Sequence, residues 1–412
     1  MRPRAGPALI ACLLLAAAGA CSDGDGGGTG LDGTFQEETV ASGFTRATAF
    51  AFTPDGRILV AEQGGAVSVI KDGAVLDQPF IELEVNRHHE RGLLGIAVDP
   101  DFTSNGYVYL YYVVENSPDV SDGPKTAQLI RVTADGDVAA TGSELVLLGS
   151  VVGDAERPSC YDQPAGADCI PADAASHNGG GIGFTADGKL LIALGDAEQF
   201  LPAQDLDYLG GKLVRINRDG SAPEDNPFYD GPDAARSRVW ALGLRNPFTL
   251  AMRPGTDIAY IGDVGSFYEE IDLSARGANY GWPCFSGPQP EIEDPVCDEL
   301  RAQDGHTPAL YAYERTEDGA AVIVAGFYQG DNYPDELDGA FLFGDFIQGT
   351  ISALRVDEDD NLIDDTVEVI YEAADAPVDF AFAPDGDLYY LSINLGAVQH
   401  LCFAAGDDEG CP

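Results

Sequence analysis

Short apolar runs of five or six residues, each introduced by a polar turn, recur along most of the chain. The beat is Pro54-Asp55-Gly56 before ILVAE, Ala186-Asp187-Gly188 before LLIALGD, and Pro384-Asp385-Gly386 before LYYLS, with a related unit in MRPGTDIAYIGDVG from Met252 to Gly265. A turn followed by a short run rich in β-branched and aromatic residues predicts a hairpin strand. Amphipathic periodicity of helical length is nearly absent, and 50 glycines and 25 prolines suit turns and sheet edges. Hairpin units tens of residues apart, none able to bury both faces alone, predict propeller blades in one large all-β domain over 34–412. The looser stretch from Asn116 to Ala175, with Pro, Asp and two cysteines, reads as blade-edge loops pinned by a disulfide.

The N-terminus changes the picture of location. Arg2 and Arg4 precede an apolar run, Ala8 to Ala18, too short to span a bilayer, so residues 1–20 read as a signal peptide. The run ends in Ala-Gly-Ala-Cys, and a Gly/Asp-rich stretch follows. Residues 21–33 therefore read as a lipidated Cys21 and a flexible tether, with ordinary cleaved secretion as the alternative. Either way the domain is extracytoplasmic, and membrane contact is expected only through the lipid anchor. Six further cysteines fall into three close pairs: Cys160 with Cys169, Cys284 with Cys297, and Cys402 with Cys411. In an exported chain this predicts three local disulfides. A metal site is the alternative, but no pair has C-x-x-C spacing, and no C-x-x-C-H haem attachment motif occurs.

A formal net charge of -47 on 412 residues excludes nucleic acid as a natural partner, because like charge repels a phosphate backbone. The acidic residues are spread along the chain and read mainly as a solvated surface, with one or two calcium sites in Asp-rich loops.

Candidate chemistry gathers at strand beginnings, which in a propeller converge on the central channel. His177, in Ser176-His177-Asn178-Gly179-Gly180-Gly181, precedes the strand pattern GIGFTADGKLLIALGD and is placed to act as a base near neutral pH. Arg245 and Asn246, in Gly-Leu-Arg-Asn-Pro-Phe, bring a fixed positive charge and an amide to another strand beginning. Glu90 opens a third strand. Asp263 through Glu270, in GDVGSFYEE, form an acidic loop before Asn279-Tyr280-Gly281-Trp282-Pro283, with carboxylates and carbonyls suited to calcium. The alternatives are a loop histidine held by hydrogen bonds and an arginine pinning a turn.

These residues stand in an ordered set of motifs: ERGLLGIAVDPDF with NGYVYLYY, HNGGGIGF with ALGD, GKLVRINRDGSAPEDNPF, ALGLRNPF, EEIDL and GANYGWP. Over nearly the whole mature chain the set resembles the soluble quinoprotein glucose dehydrogenase and aldose sugar dehydrogenase family, whose fold is a six-bladed β-propeller. The resemblance implies a cofactor, pyrroloquinoline quinone (PQQ), a sugar substrate, and electrons passed to an external acceptor. His177 would remove the proton of a sugar C1 hydroxyl while hydride passes to the quinone, giving a lactone. Arg245 and Asn246 match residues contacting the quinone oxygens. The carbonyls of Gly265 and Ser266 match a calcium that polarises the cofactor, and Glu270 with the carbonyl of Tyr280 matches a second, structural calcium.

The chain also departs from that pattern. Ile347, in Asp345-Phe346-Ile347-Gln348-Gly349, stands where the family's glucose dehydrogenases place a Lys. Ala374-Asp375-Ala376-Pro377-Val378 lacks their arginines, and Glu90 and Ser176 replace a Gln and an Asp beside the expected sugar site. The stretch AGFYQGDNYPDELDGAFLFGDFIQGTISAL resembles the hedgehog-interacting-protein-like branch, which implies a rival reading as a non-catalytic binding propeller without the quinone. A propeller lactonase would need several carboxylates and an Asn converging on one metal, and no spacing singles out such a set.

Overall fold

A computed structural model describes residues 33–405, apart from 118–119, 233, 304 and 364–365. The expected signal peptide and Cys21 lie outside the described residues. Six antiparallel sheets of four or more strands follow one another along the chain. Their innermost strands are Ala47–Phe52, Leu93–Val98, Ile182–Phe184, Pro247–Met252, Val322–Phe327 and Pro377–Phe382. Each packs beside the innermost strands before and after it, and the sixth returns to the first, so the sheets form blades 1 to 6 of a closed propeller.

The turn motifs join the innermost strand to the second strand of blades 1, 3, 4 and 6. In blade 1 the Thr53 hydroxyl donates to Asp55 at 2.6 Å and Gly56 N donates to the Thr53 carbonyl at 3.0 Å, with Gly56 at φ +88°. Thr185, Asp187 and Gly188 repeat the arrangement in blade 3, with Gly188 at φ +79°. A side chain that mimics a backbone turn, followed by a residue free to take positive φ, is what these sites require.

The second strands are apolar because both their faces are covered. Leu190–Leu194 is buried at every position. Tyr109 and Leu129 of blade 2 share one apolar cluster with Ile192 and Val214 of blade 3. Each such fully buried side chain contributes roughly 1.5–3 kcal/mol.

The ring closes through the chain ends. Gly33–Ser42 forms the outer strand of blade 6, antiparallel to Ala397–Ala405. The expectation of loops from Asn116 to Ala175 is corrected: this stretch contains Lys125–Asp135, the long third strand of blade 2, and three further strands, Val138–Ala139, Leu145–Leu148 and Ile170–Ala172, that pair with it. Lys125 and Thr126 are fully buried there, so their polarity disguised a core strand. Lys125 is neutralised by Glu115 at 2.7 Å. Disulfides join Cys160 to Cys169 and Cys284 to Cys297, as expected, the second tying down the eight-residue helix Pro295–Ala302. Cys402 is also disulfide-bonded, and its expected partner Cys411 lies outside the described residues. Such pairing belongs to an oxidising, extracytoplasmic compartment.

Candidate active site

In four blades the innermost strand carries a register shift at its beginning, between Ala47 and Ala49, Leu93 and Gly95, Pro247 and Thr249, and Pro377 and Asp379. The residues skipped are Thr48, Leu94, Phe248 and Val378. All four line one cavity of about 330 Å³ at the channel mouth. A bulge places one extra residue against its partner strand and re-aims that side chain, so the bulges build the cavity wall. Asn178, Asn246, Glu90, Arg46 and Arg315 supply polar groups, and Ile323, Phe346, Ile347 and Ile393 an apolar side. Its volume falls at the low end of the roughly 300–1,000 Å³ usual for ligand pockets.

His177 lies at this mouth. Its neighbours Asn178 and Gly179 line the cavity, and its own ring is nearly buried. The backbone holds it at φ +57°, a sparsely populated conformation for a non-glycine residue that demands support from its surroundings. That support is visible: His177 N donates to Glu90 Oε2 at 3.0 Å, and the His177 carbonyl accepts from Ala197 N at 3.0 Å. The ring's Nδ1 lies 2.8 Å from Asp196 Oδ1. A carboxylate accepts, so Nδ1 carries the proton and Nε2 is left as the basic nitrogen. Asp196 is itself fixed, because its other oxygen accepts from Trp282 Nε1 at 2.7 Å and Glu198 N donates to Oδ1 at 2.9 Å. Gly195 is required beside it, since a Cβ there would lie 2.0 Å from the His177 carbonyl. Sequence reasoning missed Asp196. The signal lay in ALGD, where an acid follows an apolar strand after one glycine, in the blade that begins at His177.

Asn246 lines the cavity, while the Arg245 side chain turns to the Val264 carbonyl, 2.7 Å from Nη1, with its guanidinium 5.3 Å from the centroid of the Trp282 ring. Asp263 caps both residues: Arg245 N and Asn246 N donate to its two oxygens at 2.9 and 2.6 Å. Burial nevertheless pushes the Asp263 carboxyl up to about 6. Asn246 Oδ1 in turn accepts from Gly179 N at 3.2 Å, and the Arg245 carbonyl accepts from Asp196 N at 2.8 Å. The histidine loop and the Arg-Asn turn are thus one hydrogen-bonded unit. Glu90 also lines the cavity, whereas Ser176 is half-buried on the histidine loop, outside the residues that line it.

The calcium expectations divide. The Gly265 carbonyl accepts from Arg315 Nη1 at 3.2 Å, and Ser266 Oγ donates to Glu291 at 2.8 Å. A guanidinium on one of the two expected carbonyl ligands repels a dication, so these residues do not fit a calcium at the cavity. Glu270 lies not in a loop, as the sequence suggested, but within the strand Tyr268–Leu273, directly opposite Asp263. Burial first, and the Asp263 charge second, push its carboxyl well up. Asp272, on the same strand, is completely buried with both oxygens lacking a partner among the described residues. Tyr280 is buried close by, its hydroxyl donating to the Leu273 carbonyl. Orphaned carboxylate oxygens beside a second raised carboxyl fit a bound cation. Among the described residues, no group of three or more His, Cys, Asp or Glu side chains is arranged to hold a metal, so such an ion would also draw on carbonyls.

A flat acidic quinone fits the cavity's chemistry, since Phe248, Phe346 and Leu94 offer an apolar slot and Arg46 and Arg315 offer positive charge.

The family model for Glucose / Sorbosone dehydrogenase matches residues 44–398. Aldose sugar dehydrogenase YliI of Escherichia coli is 29% identical over 358 residues, spanning 84% of this chain and 86% of that protein. Human hedgehog-interacting protein is 23% identical over 330 residues, spanning 75% of this chain and 42% of that protein. Among solved structures, an oxidoreductase of Thermus thermophilus described as a glucose dehydrogenase superposes with a TM-score of 0.68 at 27% identity, covering 89% of this chain and 99% of its own. The PQQ-bound aldose sugar dehydrogenase of Streptomyces coelicolor shares the fold at TM-score 0.68 and 20% identity, covering 91% of this chain and 100% of its own. The six-bladed ring, the cavity at its mouth and these matches agree, and the chain belongs to the glucose/sorbosone dehydrogenase family of oxidoreductases.

Proposed function

We propose that the protein oxidises an aldose at C1 to the lactone, with PQQ held in the channel-mouth cavity and electrons passed to an external acceptor. The observation that carries this reading is the His177–Asp196–Trp282 chain, which orients a base at the edge of that cavity. PQQ, when bound, supplies an ortho-quinone that accepts a hydride. His177 Nε2 takes the proton of the C1 hydroxyl as the C1 hydrogen departs with its electron pair. Asp196 holds the imidazole in the required tautomer and stabilises the imidazolium that forms. Asn246, which lines the cavity, would contact the quinone oxygens, with Arg245 behind it. The apolar side of Phe346, Ile323 and Val378 keeps bulk water from the inner part of the cavity. Glu270, Asp272 and the Tyr280 carbonyl would hold a structural calcium, and Cys21 would carry a lipid anchor.

A second reading, an extracellular binding propeller without the quinone, is favoured by one observation: Ile347, where the family's glucose dehydrogenases carry a Lys, is 46% exposed at the cavity wall. Dye-linked turnover with a panel of aldoses separates the two. His177→Ala should abolish it, and Asp196→Asn should lower kcat by about 10²–10⁴-fold with little change in KM. Full turnover in His177→Ala would remove His177 from the mechanism. No turnover by the unaltered chain loaded with PQQ would favour the binding reading.

A further inference from the structure

The two cationic residues of the cavity wall, both arginines, are not singled out by the sequence. Arg46 lies between the outer strand of blade 6 and the innermost strand of blade 1, and Arg315 follows the outer strand of blade 4, Tyr311–Glu314, on the way into blade 5. Around the ring they bracket blades 5 and 6, whose contribution to the wall includes Ile323, Phe346, Ile347, Val378 and Ile393. This is the side on which the Lys and arginines of the family's glucose dehydrogenases are absent.

Both side chains are held from behind. Arg46 has φ +52°, its carbonyl accepts from Gln63 N at 3.0 Å, and its Nε donates to Gln63 Oε1 at 2.6 Å. Gln63 is anchored in turn, donating to the His89 carbonyl at 2.6 Å. Arg315 uses Nη1 for the Gly265 carbonyl and for the fully buried Glu269. Among the described residues, neither Nη group of Arg46 nor Nη2 of Arg315 has a hydrogen-bond partner. The chain has 69 acidic and 22 basic side chains, and some guanidiniums pair with carboxylates, as Arg218 does with Asp101 and Arg236 with Asp207. Arg46 is exposed at the cavity, and among the described residues no carboxylate pairs with it, so its two outer nitrogens are open to a ligand there.

We propose that Arg46 and Arg315 anchor the carboxylates of the quinone cofactor, taking over from flanking blades the charge that Ile347 and residues 374–378 do not provide. The assignment rests on the cofactor reading above. Equilibrium dialysis of calcium-loaded protein against PQQ tests it without relying on turnover. Arg46→Gln should raise Kd about tenfold or more with an unchanged melting temperature. Adding Ile347→Lys to that variant should recover much of the loss. Because Arg315→Gln alone strands the buried Glu269, the double variant Glu269→Gln/Arg315→Gln is the companion, with a similar rise expected. Unchanged Kd in Arg46→Gln and in the double variant would overturn the assignment while leaving the cofactor reading standing. No binding by the unaltered chain would remove the cofactor reading and this assignment with it.

Discussion

Asp379 shows how a single carboxyl can report the state of the channel. It follows the bulge residue Val378 and borders a cavity of about 130 Å³ beneath the channel mouth. Phe50 N and Phe380 N donate to it at 2.8 and 2.9 Å, yet burial pushes its carboxyl up to about 7. The folded chain therefore holds this proton more tightly than the unfolded chain does. Stability from this group is present below the unfolded carboxyl range, near pH 4, and is lost as pH rises through about 7. Other buried carboxyls such as Asp263 and Glu269 add to the same decline, so thermal unfolding from pH 4 to 8 should show a shallower fall in stability for Asp379→Asn than for the unaltered chain; identical pH slopes for the two would contradict this. At the same scale the placement of His177, Arg245 and Asn246 around the channel mouth was legible because motif and strand beginning coincide. Asp196, Arg46 and Arg315 were not, since each acquires its role from partners distant in sequence: Asp196 from Trp282, 86 positions away, and Arg315 from Glu269, 46 positions away.

At the scale of elements, the turns were legible for a local reason: Thr53-Pro54-Asp55-Gly56 and Thr185-Ala186-Asp187-Gly188 carry their own hydrogen bonds. The bulges were not, because a one-residue slip in pairing leaves no mark on apolar sequences such as ATAFAF. Lys125–Asp135 was hidden by buried polar residues whose partners lie elsewhere. The closing strand Gly33–Ser42 was also invisible, being largely exposed and held chiefly by backbone pairing. Its apolar anchor is Phe35, whose ring meets Tyr333 at 5.0 Å and Phe403 at 5.1 Å, edge-on in both cases. Phe35→Ala should cost about 3 kcal/mol by deleting that anchor, measured by denaturant unfolding. A loss below about 0.5 kcal/mol, the range of ordinary surface substitutions, would show that the strand closes the ring without it.

For the whole molecule, burial barely changes the charge balance of -47, and the surface is strongly negative. Among the described residues the buried cations Arg57, Arg91, Lys125, Lys212 and Arg215 are outnumbered by buried carboxylates such as Asp99, Asp196, Glu269, Asp272, Asp345 and Asp387, yet most of the 69 acidic side chains are outside. Self-repulsion of this kind is screened by salt. Raising ionic strength from about 10 to about 150 mM shortens the Debye length from roughly 30 to 8 Å and should raise the melting temperature. A melting temperature that falls with sodium chloride would mean that attractive surface pairs outweigh the repulsion. The central claim, that the channel mouth of this propeller binds a quinone and passes it hydride from a sugar, is tested most directly by titrating calcium-loaded protein with PQQ and then adding aldoses while following quinone absorbance. Saturable binding followed by bleaching that depends on the sugar is the predicted result. No binding at tens of micromolar PQQ, or binding that no aldose bleaches, would contradict it.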